Sequence, residues 1–183
     1  MSHIDLLVER YPSLESAEND IVAAYLLLEE SYKNGGKLLV AGNGGSAADA
    51  EHIVGELMKG FKLPRKPETD FAEKLFAENQ ELEAVLAENL QGALPAIALD
   101  GYPALSTAYM NDCEPRLCFA QQVNGYGKSG DVFLGISTSG NIQSHYHIYT
   151  DSQTHVISRI HIQKRKNKDE LFERNYDDWR NAG

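Results

Sequence analysis

Lys37-Leu-Leu-Val-Ala-Gly42 runs directly into Asn43-Gly44-Gly45, and from Ser46 to Lys59 the chain resumes with apolar residues at helical spacing. Five consecutive small or branched apolar residues without alternation are the pattern of a strand covered on both faces, as in a parallel sheet. The glycines that follow are a turn signal, and the periodic run after them is a helix. One strand–turn–helix unit of this kind sets the architecture to look for on either side.

Upstream, residues 13–33 carry Ile21, Ala24, Tyr25, Leu28 and Tyr32 at helical spacing, and Asn34-Gly35-Gly36 stops that run. Downstream, Pro64 and Pro67 interrupt the chain. Residues 69–89 then read as a third, half-exposed helix with Phe71, Leu75, Leu82, Val85 and Leu86 among alternating charges. Pro95-Ala-Ile-Ala-Leu99 is a second strand. Residues 103–110 and 114–123 read as two short helices separated by Asn111-Asp112. Asp131-Val-Phe-Leu-Gly-Ile-Ser137 is a third strand, ending in the small polar turn Thr138-Ser139-Gly140-Asn141. Strands alternating with helices imply an α/β fold, a doubly wound parallel sheet with helices on both faces. A chain of 183 residues suits one such domain and needs no disulfide or metal to hold its core.

Charge and composition exclude several classes of function. The formal net charge is −10, with 21 acidic against 10 basic residues in 1–150. Nucleic-acid binding needs clustered Lys and Arg, so no nucleic-acid partner is expected. No apolar run is long enough to span a bilayer, and no membrane partner is expected either. Met1-Ser-His-Ile-Asp5 lacks the basic and apolar regions of a signal peptide. The two cysteines, Cys113 and Cys118, read as neutral thiols in a reducing compartment, and a cytoplasmic location follows as the expectation.

In an open parallel sheet, ligands bind beyond the carboxyl ends of the strands. Two of the three strands end there in turns suited to an anion. Around Asn43-Gly44-Gly45-Ser46 no bulky side chain blocks the backbone N–H groups, and the next helix aims its N-terminal dipole at the same point. Ser137, Thr138 and Ser139 offer hydroxyl donors from a second strand end. Either turn alone would be an ordinary strand–helix connection; two at equivalent ends favour a ligand site. Gly42, Gly44 and Ala47 also fit a loose dinucleotide fingerprint. The acidic residue that fingerprint requires about 20 positions on is missing, because Phe61-Lys-Leu-Pro-Arg65 is not a strand. His52 and Glu56, four apart, share one face of the second helix. That spacing suits two ligands of one metal, a base beside its orienting partner, or a solvated ion pair.

Gly42-Asn-Gly-Gly-Ser-Ala-Ala-Asp-Ala-Glu-His52, continuing to Glu56-Leu57, together with Leu134-Gly-Ile-Ser-Thr-Ser-Gly-Asn141, resembles the sedoheptulose 7-phosphate isomerase (phosphoheptose isomerase) branch of the sugar-isomerase, or SIS, domain family. The likeness runs from the first helix to Asn141, about three-quarters of the chain. It implies a flavodoxin-like five-stranded parallel sheet, a homotetramer and active sites shared between subunits. By position it gives Asn43, Gly44, Gly45, Ser137, Thr138 and Ser139 to the sugar phosphate, with Ser46 supporting the loop. Asn111 and Asp112, on the connection after the second strand, match residues that contact the sugar. His52 matches a metal ligand, and Glu56 a metal-binding catalytic base. The implied cofactor is zinc and the implied reaction aldose–ketose isomerisation through an enediol.

The family pattern continues with a serine after Asn141, two further strands and a C-terminal helix. That helix bears a histidine eight residues after a metal-binding glutamine. Here Ile142 follows, and 142–183 is polar and holds four of the six histidines, His145, His147, His155 and His161. Gln153 and His161 reproduce the spacing, which a tail rich in both residue types offers by chance. Residues 154–163 fit neither the helical nor the strand period, and Lys164 to Trp179 reads as a charged helix. The domain therefore divides into 1–141, sugar-phosphate binding, and 142–183, a divergent tail. The loss of pattern at one residue is what a shifted reading frame or a replaced C-terminus would produce. Three readings stay open: a phosphosugar isomerase, a non-catalytic sugar-phosphate-binding module, and an incomplete product without activity.

Overall fold

The computed structural model describes residues 2–67, 85–86 and 88–137, and the backbone of 144–150 and 157–164. The first helix, α1 (His3–Arg10), opens on a reciprocal cap, in which the Ser2 hydroxyl accepts from the Asp5 amide and the Asp5 carboxylate accepts from Ser2 N–H. Ser2-x-x-Asp5 was a readable start signal, but the sequence reading began its first helix only at residue 13. That longer helix divides in two. Pro12 opens a 3-10 turn over Pro12–Ala17, and α2 follows over Glu18–Lys33. Pro12 lacks the N–H that an unbroken α1 would need, so the chain re-enters helix afterwards.

The strand–turn–helix unit forms as its sequence requires, with β1 at Leu38–Gly42 and α3 at Gly45–Met58. All five residues of β1 are buried. Strand β2 (Ala96–Ala98) lies on one side of β1 and β3 (Val132–Ile136) on the other, both parallel to it. The order β2-β1-β3 is the first three strands of the flavodoxin-like order. Between β2 and β3 run α4 (Pro103–Asp112), a 3-10 turn at Pro115–Leu117 and α5 (Cys118–Tyr126). The two predicted short helices are there, but Asn111 and Asp112 close α4 and do not form a connection after it. The predicted helix over 69–89 falls almost wholly outside the described residues.

Alternate residues of β1 divide the core between the two faces of the sheet. Leu38 and Val40 pack with Leu28 and Tyr32 of α2, with Ile53 and Val54 of α3, and with Val132 and Ile136 of β3. Leu39 and Ala41 pack with Leu99 and with Phe119 and Val123 of α5. Both layers of a doubly wound sheet are thus in place around β1. Burial of Leu39, Val40 and Leu99 contributes about 1.5–3 kcal/mol for each side chain removed from water.

Strand β3 is different. Phe133 is 38% exposed and Leu134 39%, because among the described residues no strand lies on the side away from β1. Downstream of Asn141, where residues 154–163 were left open between strand and helix, the chain forms two strands. Strand β4 (Ser144–Thr150) pairs antiparallel with β5 (Ile157–Lys164) as a separate two-stranded sheet. Ile157–Lys164 is therefore a strand, and its partner is β4. Lys164 ends that strand, and the charged helix expected beyond it lies outside the described residues.

Candidate phosphate site at the strand ends

Register brings the carboxyl ends of β1 and β3 together. Gly42 is the partner of Ile136, so Asn43 and Ser137 leave the sheet side by side at its carboxyl end. Gly42 must be glycine here. A Cβ on it would overlap the backbone carbonyl of Ser46, so α3 starts as close to β1 as a chain can come. Gly44 turns the chain with φ +59°, a left-handed value that favours glycine. Ser46 N–H then bonds to Asn43 O at 3.1 Å and Ala47 N–H to Gly44 O at 3.1 Å, closing the first turn of α3.

No side chain caps α3. Asn43, Gly44 and Gly45 are exposed, and a Cβ at Gly44 or Gly45 would meet nothing within 4 Å. The positive end of a 14-residue helix therefore faces open space above the turn. Ser46 is buried beneath it, only 3% exposed, consistent with support of the loop. Ser137 is exposed at the neighbouring strand end. Thr138 and Ser139, the remaining hydroxyls assigned to this turn, lie outside the described residues.

His52 and Glu56 stand further along α3, with His52 Nε2 4.0 Å from Glu56 Oε1. The imidazole is largely exposed and the carboxylate about one-third exposed. Seven residues beyond Gly45, His52 is about 10 Å along the helix axis from the phosphate-type turn, within reach of a sugar chain several carbons long. Zinc needs four donors in a structural site, or three and an open position in a catalytic one. Among the described residues no group of three His, Cys, Asp or Glu side chains comes together. His52 and Glu56 alone supply two of the donors that a zinc site needs.

Asn111 and Asp112 close the last turn of α4 and are exposed. Asn111 Nδ2 donates to Asp112 Oδ1 at 3.1 Å, and no described hydrogen bond ties either residue to the strand-end turns. Pro103 starts α4 just past β2, so the helix carries Asn111 about 12 Å along its axis from that end. The histidine expected opposite Glu56 is not on a C-terminal helix either. His161 lies in β5, in register with His147, while Gln153 and His155 are outside the described residues.

One residue at this end, Asp100, was given no role from the sequence, since it ends its strand too late for the dinucleotide fingerprint. Asp100 follows Leu99 at the carboxyl end of β2, and both its carboxylate oxygens are buried without a hydrogen bond from any other described residue. Burial pushes its carboxyl above the ordinary range and Glu51 of α3 adds to the rise, while its own backbone amide opposes it. The available signal was an acidic residue directly after a buried strand, where ligand-facing turns begin.

The cysteines are both free. Cys113 is exposed just beyond α4, and Cys118 is buried at the start of α5.

Comparison with known proteins agrees with the turns. A match to the SIS domain covers residues 5–98, just over half of the chain. The phosphoheptose isomerase of Citrifermentans bemidjiense is 40% identical over 133 residues, which is 73% of this chain and 52% of that protein. That of Crocosphaera subtropica is 40% identical over 114 residues, 62% of this chain and 45% of its own length. The solved phosphoheptose isomerase from Neisseria gonorrhoeae is 32% identical, with a TM-score of 0.47, covering 75% of this chain and 55% of that one. At that score the superposition adds nothing to the fold, which rests on the strand order. The chain spans about half the length of the curated relatives it matches. With a SIS domain match over just over half of its length and these phosphoheptose isomerases among its relatives, the chain belongs to the SIS domain family.

Proposed function

We propose that this chain carries the phosphate-binding half of a phosphosugar isomerase site of the sedoheptulose 7-phosphate type. The observation that supports it best is the pairing of Gly42 with Ile136, which sets the uncapped N-terminus of α3 beside Ser137. In this reading the backbone amides at Gly44 and Gly45 hold the phosphate and the Ser137, Thr138 and Ser139 hydroxyls complete its donors. Asn43 borders the pocket and Ser46 braces the loop. The sugar extends along α3 towards Glu56. Asn111 and Asp112 contact the sugar only where α4 of another subunit, or a rearrangement of this one, brings them to it.

Glu56 is the base. Its carboxylate removes the proton from the carbon beside the carbonyl, giving an enediol, and returns it to the former carbonyl carbon. The hydroxyl proton moves between the two oxygens in the same cycle, which takes a second acid–base group opposite Glu56. Zinc, where His52 and Glu56 gain further ligands from outside the described residues, would polarise the two oxygens. A homotetramer with shared sites is the assembly that could supply them. The two free cysteines accord with a cytoplasmic setting, and no described helix is long and apolar enough to cross a membrane.

A second reading has its own support. Without a third metal donor or an opposing acid–base group among the described residues, the same turns make a sugar-phosphate-binding module. Titration calorimetry and turnover separate the two. Sedoheptulose 7-phosphate should bind, inorganic phosphate should compete, and NAD should not bind. Turnover with added zinc, falling by roughly 10²–10⁴ in Glu56→Gln with the melting temperature unchanged, establishes the isomerase. Binding without turnover, unaffected by Glu56→Gln, establishes the module. Absence of phosphate competition removes both.

A further inference from the structure

The pairing of β4 with β5 puts three of the six histidines on one face of a two-stranded sheet. His147 is the direct partner of His161, and His145, two residues back along β4, is the partner of Gln163. Strand residues two apart share a face, so His145, His147 and His161 lie on the same side with Gln163. The opposite face carries two apolar pairs, Tyr146 with Ile162 and Ile148 with Ile160. The register shift in this sheet falls at Tyr149 and Thr150, past the histidines, so the alternation runs unbroken through all three.

We propose that His145, His147 and His161 form a site for a divalent transition metal, zinc in the first place, that ties β4 to β5. The cluster is one of backbone register, separate from the pair His52 and Glu56, and it does not depend on the isomerase reading. Antiparallel pairing sets the Cα atoms of His147 and His161 about 4.5–5.5 Å apart. His145 is about 7 Å from His147 along the strand, and roughly 7–8 Å from His161 on the diagonal. Zinc holds imidazole nitrogens at about 2.0–2.1 Å, and three such ligands with one open position are a complete set for it. Imidazole also suits copper and nickel, whereas calcium and magnesium take oxygen ligands.

Two consequences of the placement favour a metal over three unrelated side chains. Imidazoles this close repel one another when protonated, which weakens the strand pairing unless something keeps them neutral. A bound metal does so, because only neutral imidazole is a ligand. A two-stranded sheet is also marginal in water, and among the described residues β4 and β5 pair only with each other. A metal held by both strands stabilises that pairing, since its binding free energy becomes folding free energy. The permanent charge on this face, Arg159, is the partner of Tyr149 at the end away from Gln163.

The register makes the test specific. The full chain in a His52→Ala background, which takes the α3 pair out of account, should bind one equivalent of zinc chloride in calorimetry at roughly micromolar concentration or below. His147→Ala and His161→Ala should each weaken that binding by roughly a hundredfold or more, beyond what loss of a supporting partner costs. His155→Ala, which falls between the two strands in the sequence, should leave it unchanged. Exchanging neighbours, Tyr146→His with His147→Tyr, keeps the composition but moves one imidazole to the other face. That exchange should weaken zinc as much as His147→Ala does, and circular dichroism checks that each variant folds. No zinc bound by the parent chain, an equal loss in His155→Ala, or full binding by the exchanged variant would each overturn the proposal.

Discussion

Asp131 and Asp100 sit at opposite ends of one three-stranded sheet, and their surroundings differ in every respect that matters to a carboxylate. At the amino end, Asp131 accepts from Lys37 N–H at 2.9 Å, from Lys37 Nζ at 2.5 Å and from Lys128 N–H at 2.7 Å. Beside it the Ser31 hydroxyl donates to Gly130 O at 2.5 Å, tying α2 to the same corner. At the carboxyl end, Asp100 is buried without such donors, α3 is uncapped, and the glycines above the turn face open space. The first end is closed and satisfied, the second open and unsatisfied. Polar groups left without partners inside a fold that satisfies its others mark where a ligand completes the structure. The amino end holds β1 and β3 in register, and that register sets Asn43 beside Ser137.

The largest effect should come from the closed end. Asp131→Ala leaves Lys37 without its partner in a site where the carboxylate is only 7% exposed, and it removes the acceptor of two backbone amides. A loss of about 3–5 kcal/mol in urea unfolding is expected. A loss below 1 kcal/mol would mean that the amino end does not hold β3 in place.

Next comes the joint between β1 and α3. Gly42→Ala forces a methyl group against the Ser46 carbonyl, and the backbone must shift at a cost of about 1–3 kcal/mol. Because the shift moves the start of α3, phosphate affinity should fall with stability. Unfolding and phosphate titration on the same variant check this, and unchanged affinity would detach the turn from the site. At the open end itself, Ser137→Ala should leave the melting temperature alone and weaken sugar-phosphate binding by about 1–2 kcal/mol in calorimetry. The reverse pattern would make Ser137 a structural residue.

The same contrast explains what the sequence could and could not say. Lys37 to Lys59 was legible because three local signals agree there: an unbroken apolar run, a glycine turn and a helical period. The second and third strands were legible for similar reasons, to within one or two residues at each end. Lys37 and Asp131 are 94 positions apart, and nothing local in either marks the ion pair. Asn111 and Asp112 were read as the break between two short helices, yet α4 carries them through its last turn. There the helix ends one residue later, at Cys113, so tertiary context outweighs a weak local preference. In 142–164, alternation was diluted by polar residues on both sides, as expected of two strands whose main partner is each other. Glycine and serine spacing revealed the turns, and Asp100 was visible as an acidic residue directly after a buried strand, but its lack of partners depends on α3 lying across β2.

Asp100 gives the smallest effect and separates two accounts of the open end. Its carboxyl is pushed above the ordinary range, chiefly by burial. The folded chain therefore holds that proton to higher pH than the unfolded chain does. Below the ordinary carboxylate range both states are protonated and the residue carries no penalty. As pH rises through the window between the ordinary and the raised value, the unfolded state ionises first and folding loses stability. Above that window the penalty is fully present. Asp100→Asn removes the charge and keeps the shape, so it should raise the melting temperature by about 1–3 °C at pH 7 and by nothing measurable near pH 3. If Asp100 is kept for a ligand, the stabilised variant should also bind sugar phosphate less tightly, the usual exchange of stability for function at a site. If it is only a poorly solvated surface neighbour of Glu51, affinity should stay the same while stability rises. A lower melting temperature at pH 7 would contradict both accounts, because it would mean that the ionised carboxylate has partners which the contacts around β2 and α3 do not contain.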